Sequence, residues 1–180
     1  KDEETIRRRI EELLKRSEDN SERIRRTIRE LLERSKKLSE EVRKRIEELL
    51  KRLDEKVKEI RKREDERLVR DAKRELERIL DEVRRLVEKT KRDLEDMLRR
   101  IKELVRRNKE EIDRMLEEIR RSGVPEEVLK EAEKRLREDK KRNDEVLKRV
   151  TEAVEEDKKR NDDVLEKVER AIREIARKLD

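Results

Sequence analysis

The sequence predicts an all-α fold: a straight antiparallel up-down-up three-helix bundle of long helices, spanning residues 1–180 as one domain. Three observations carry that prediction. Apolar residues recur at helical spacing along almost the whole chain, the pattern returns every eighteen residues, and the sole glycine and sole proline, Gly123 and Pro125, fall within one short stretch. Charged residues make up 62% of the chain and apolar residues 29%, with no aromatic side chain. Composition alone would suit a disordered chain, because so little apolar surface rarely offsets the entropy lost on folding. The order of the apolar residues decides otherwise.

Helix one, about residues 2–61, opens with Ile6, Ile10, Leu13 and Leu14. The same four places return as Ile24, Ile28, Leu31 and Leu32, and again as Val42, Ile46, Leu49 and Leu50. Steps of four, three and one residue put these side chains on a single helical face. Helix two, about residues 66–121, repeats with the same period through Leu76, Ile79, Leu80 and Val83, then Leu94, Met97, Leu98 and Ile101, then Ile112, Met115, Leu116 and Ile119. Helix three, about residues 125–179, shows it in Val128/Leu129, Val146/Leu147 and Val164/Leu165, with Leu136, Val154 and Ile172 in step. Residues 138–144 and 156–162 both read EDKKRND.

Eighteen residues in five turns is the period of an unstrained helix, whereas heptad coiled coils repeat every seven residues and supercoil. The helices are therefore expected to run straight, in a rod about 85 Å long. Polar interruptions fall between the apolar repeats at Ser17–Ser21 and Ser35–Ser39, at Thr90 and Asn108, and at Asp139–Asn143 and Asp157–Asn161. With the turns as hinges, facing residues total roughly 126 across helices one and two and roughly 247 across two and three, by equal rise along each helix. That register sets Asn108 level with Ser17–Ser21 and Asp139–Asn143, and Thr90 level with Ser35–Ser39 and Asp157–Asn161. At the remaining level Leu53, Val57, Ala72, Ile175, Ala176 and Leu179 are all apolar.

The turn at 121–125 is written plainly. Gly123 suits the left-handed residue that ends a helix, Val124 the apolar contact beyond it, and Pro125 the first position of the next helix. The connection at 61–66, RKREDE, has no glycine or proline. A turn there, with Asp65 as cap, explains the six-residue offset between the stripes of helices one and two. The alternative is one helix over residues 1–120 whose first half packs against other chains, which makes the protein a self-assembling or partner-binding module.

No residue makes a chemical claim. Without histidine or cysteine there is no ligand set for a zinc or di-iron centre, and carboxylate runs such as Glu64-Asp65-Glu66 and Asp162-Asp163 read as solvated helix faces. Ser17, Ser21, Ser35 and Ser39 are placed by the repeat and have no base of the usual kind beside them, so no catalytic residue and no cofactor is expected. The basic runs Arg7-Arg8-Arg9, Arg25-Arg26, Arg106-Arg107 and Lys140-Lys141-Arg142 are flanked by acids three and four residues away. With no aromatic to stack a base, specific nucleic-acid binding is not expected. Apolar stripes without Trp or Phe anchors, matched to one another in register, read as core and not as a membrane face. A soluble chain without targeting signal, cytosolic in an expression host and requiring no partner, is the expectation, with a homo-oligomer tied to the one-helix alternative.

The strict repeat, the equal helix lengths, the Ser-Gly-Val-Pro-Glu-Glu turn at 122–127 and the Glu, Lys and Arg at exposed positions resemble a computationally designed, parametric helical bundle. The resemblance covers the whole chain and concerns a style of sequence, so it carries over no functional residue. It implies a structural scaffold without natural biochemical activity.

Overall fold

A computed structural model describes residues 2–63 and 65–180, and nearly all of them lie in three helices: α1 (Glu3–Arg63), α2 (Glu66–Arg121) and α3 (Glu126–Leu179). Glu, Lys, Arg and Leu are among the better helix formers, and no β-branched run interrupts them. Charge placement agrees with the helix dipole. Glu3 and Glu4 open α1, Glu126 and Glu127 open α3, and Arg120, Arg121, Arg177 and Lys178 close α2 and α3.

Each helix start is marked by a residue that catches free backbone donors. Asp2 accepts from the Glu4 N–H through its side chain and from the Ile6 N–H through its carbonyl. Asp65 does the same for α2, with its carboxylate 3.0 Å from the Arg67 nitrogen and its carbonyl 3.1 Å from that of Val69. This cap separates α1 from α2, so a single helix over residues 1–120 does not form. Glu64, within the connection expected at 61–66, lies outside the described residues.

At the second connection Gly123 has φ of 72°, the left-handed conformation that ends α2. An added Cβ there would meet nothing within 4 Å, so the demand for glycine is one of backbone conformation. Pro125 sits one place earlier than a first helical position: its carbonyl accepts from the Val128 and Leu129 N–H groups, which makes it the cap of α3.

The chain divides into two compact units, one of Lys1–Glu33 with Asp96–Ala153, the other of Arg34–Glu95 with Val154–Asp180. In the first, Ile10, Leu13 and Leu14 of α1 meet Ile112, Met115, Leu116 and Ile119 of α2 and Ala132 and Leu136 of α3. Val124 folds against this cluster from the turn, together with Ile6, Val128 and Leu129. In the second, Ile46, Leu49, Leu53 and Val57 meet Leu76, Ile79, Val83 and Val87, with Val168, Ile172 and Ile175 from α3. Ala176 and Leu179 pack on its edge, and Ala72 is buried. Leu38, 49% exposed, stands outside both clusters and outside the apolar repeat.

Ion pairs across the helices give their directions. In the first unit Arg9 reaches Glu118 and Arg16 reaches Glu111, so α1 and α2 are antiparallel. Arg120 with Glu133, Asp113 with Lys140 and Lys109 with Asp144 make α2 and α3 antiparallel. In the second unit Arg45–Glu82, Arg84–Glu169 and Lys91–Asp162 repeat the arrangement. Across α2 and α3 the paired residue numbers total 253 (120 with 133, 109 with 144, 91 with 162), not the roughly 247 expected from the turn. Across α1 and α2 these pairs total 127 (9 with 118, 16 with 111, 45 with 82), close to the roughly 126 expected, so the departure is confined to the pairing of α2 with α3.

Candidate functional site

The residues that stand apart chemically are the polar ones in the interior. In the first unit Ser17, Ser21, Asn108, Asp139 and Asn143 are all buried. Ser17 donates from Oγ to Asp139 Oδ2 at 2.9 Å, and Asn143 donates from Nδ2 to Ser21 Oγ at 3.1 Å. One turn of α1 carries both serines and one turn of α3 carries both partners, because four residues return a side chain to the same face. The layer is not closed: Asn108 Nδ2, Asn143 Oδ1 and the neighbouring Arg25 Nη1 are buried without a hydrogen-bond partner among the described residues.

The second unit holds the corresponding set, with Ser35, Ser39, Thr90 and Asn161 buried and Asp157 nearly so. Ser39 donates to Asp157 Oδ2 at 2.7 Å. Arg43 enters this layer, donating from Nη1 to Asp157 Oδ1 at 3.4 Å and to Asn161 Oδ1 at 3.3 Å. Thr90 turns its hydroxyl to the Leu86 carbonyl at 2.8 Å, a local bond that satisfies it within its own helix. Asn161 Nδ2 is left without a partner among the described residues.

Besides these layers, a recess of about 1240 Å³ opens in the first unit where the start of α1 faces the α2–α3 turn, lined by Ile6, Ile10, Leu13, Ile119 and Val124 with Arg9 at its rim. Among the described residues none of the unpartnered buried polar atoms belongs to its lining.

No protein-family model and no curated protein matches the chain. A solved structure described as a "Computationally designed three helix bundle" is similar over 98% of this chain and 94% of its own, with a TM-score of 0.68 at 21% sequence identity. The fold is a three-helix bundle.

Several members of the basic runs singled out in the sequence pair with acids. Arg7 pairs with Glu3, Arg9 with Glu118 and Glu12, and Lys140 with Asp113. Arg106 bonds both Glu103 and Glu110, and Arg107 also reaches Glu103. Hydrogen bonding and charge from Arg106, helped by Arg107, hold the Glu103 carboxyl well below its ordinary 4.5, at about 2. The Arg106 guanidinium is correspondingly pushed up by Glu103 and Glu110. The Arg120 guanidinium lowers Glu133 in the same way, and the hydrogen bond that Arg9 donates to the Glu118 carboxylate raises Arg9. Most of these pairs are exposed to solvent.

Of the carboxylate runs, Asp65 is the α2 cap and Asp162 pairs with Lys91, while Glu64 lies outside the described residues. Among the described residues no three His, Cys, Asp or Glu side chains gather as a metal site would require. Among the described residues no helix is long and apolar enough to cross a membrane. The four serines do not share a pocket: they belong to the two layers. Sequence reading missed Arg43, which looks like any solvated arginine until one notes that it stands eighteen residues after Arg25, as Ser35 and Ser39 do after Ser17 and Ser21.

Proposed function

We propose that the protein is a de novo designed structural scaffold without catalytic activity of its own, whose purpose is to adopt and hold this bundle. The observation that carries the reading is the repetition of the α1 and α3 parts of the interior polar layers, while α2 places Asn108 in one and Thr90 in the other. The same Ser, Ser, Asp and Asn side chains recur at the same spacing in each unit, inside a shell of Glu, Lys and Arg. Selection for a chemical task leaves one site with unlike groups converging on it, whereas specification of a fold places equivalent groups at every equivalent level. The likeness to a bundle described as computationally designed supports the same reading.

The bundle is taken to act without a metal, cofactor or required partner. Light scattering across a hundredfold dilution tests this: a constant mass near 22.3 kDa is the expected result for a closed scaffold. A mass that rises with concentration to an integer multiple would instead make assembly its purpose.

A further inference from the structure

We infer that Arg25, half-buried with its Nη1 out of solvent, is the cationic member of the polar layer in the first unit, closing on Asn143 Oδ1 beside the Asp139 carboxylate. Two stretches of the sequence repeat one another. Ser17, Ser21 and Arg25 on α1 are followed eighteen residues later by Ser35, Ser39 and Arg43, and Asp139 and Asn143 on α3 by Asp157 and Asn161. In the second unit the arginine is in place, with Arg43 Nη1 shared between Asp157 Oδ1 and Asn161 Oδ1. In the first unit the two atoms that would form the same bond are both orphaned. Arg25 Nη1 is a buried donor with no acceptor, and Asn143 Oδ1 is a buried acceptor with no donor.

Orphans of opposite kind, on residues whose counterparts are bonded at 3.3 Å, are complementary halves of one interaction. Each alone is costly to bury, and a guanidinium more so than an amide. Closing the bond disturbs nothing already made, because Asn143 holds Ser21 through Nδ2 and leaves Oδ1 free. It also sets a positive charge one helical turn from the Asp139 carboxylate, which is 8% exposed and receives a hydrogen bond from Ser17. A buried carboxylate with a hydroxyl as partner and no cation is the less stable arrangement. The arginine at this position of the repeat is thus a half-buried member of the polar layer in both units.

A double-mutant cycle tests the assignment on the full chain. Arg25→Met, Asn143→Ser and the double variant are compared by denaturant unfolding, beside the matching Arg43→Met and Asn161→Ser set. Both cycles are expected to show coupling of about threefold or more in the unfolding constant, as for side chains that share a bond. The unsubstituted protein supplies a second reading by NMR. A guanidinium held by hydrogen bonds rotates slowly about its Nε–Cζ bond, so Arg25 and Arg43 are both expected to show resolved Nη protons. An Arg25–Asn143 coupling below about threefold, or averaged Nη signals from Arg25 with resolved ones from Arg43, overturns the inference. Should a variant fail to fold, the NMR comparison decides alone.

Discussion

At the scale of single residues, the interior polar side chains differ in how much of their bonding is met, and their substitutions should differ accordingly. Asn108 is buried with Nδ2 unpartnered. Asn108→Leu removes an unmet donor and adds apolar volume, so stability should stay level or rise by about 1–2 kcal/mol in urea unfolding. Ser39→Ala is the opposite case, since it takes the 2.7 Å hydrogen bond from a nearly buried Asp157. A loss of about 1–3 kcal/mol is expected there, measured the same way. The polar layers themselves were legible in the sequence, because Ser, Thr and Asn interrupt an apolar repeat at fixed intervals. Arg43 was not, because periodicity sorts residues by polarity, and an arginine within a highly charged chain carries no polarity signal of its own. Only its partners reveal it. Asn161 and Asp157 need a donor from α1, and a long side chain one turn beyond Ser39 can supply it.

At the scale of elements, the ends of the helices were partly readable. Gly123 and Pro125 announce the second connection, whereas RKREDE at 61–66 contains good helix formers up to the point where Asp65 caps α2. A cap competes with continued helix by a margin of the order of 1 kcal/mol, too small for propensity to reveal alone. Asp65→Ala should therefore lower stability by about 1 kcal/mol and raise hydrogen exchange in the first turn of α2. On the solvated face of α2 the Glu103 pairing makes a prediction in pH. Its folded carboxyl is held at about 2 against an ordinary 4.5, so its contribution to stability is complete above the ordinary value and is lost as pH falls toward the folded one. The carbon-detected titration of Glu103 should have a midpoint well below 4.5, and that midpoint should climb in 1 M salt, where exposed pairs are screened.

At the scale of the whole molecule, local propensity, apolar patterning, capping and charge placement all favour the same helices. Such agreement deepens the native state relative to its competitors. The helical circular-dichroism signal is expected to persist beyond the ordinary mesophile melting range of about 45–65 °C, and a cooperative loss within that range would contradict the expectation. Molar salt should shift the melting curve little, because most of the ion pairs are exposed and each contributes well under about 1 kcal/mol.

Neither compact unit is a continuous piece of chain. The first joins Lys1–Glu33 to Asp96–Ala153, and the second joins Arg34–Glu95 to Val154–Asp180. The Ser17–Asp139 and Ser39–Asp157 bonds accordingly bridge 122 and 118 residues of sequence. Helical bundles usually owe their rapid folding to short-range contacts, and this interleaving works against that advantage. During synthesis at about 5–20 residues per second, the opening stretch of α1 must wait several seconds for α3 to emerge before its serines find their partners. Nascent chains halted before residue 139 should be helical yet readily cut by protease, and resistance should arrive abruptly with the last third of the protein rather than helix by helix.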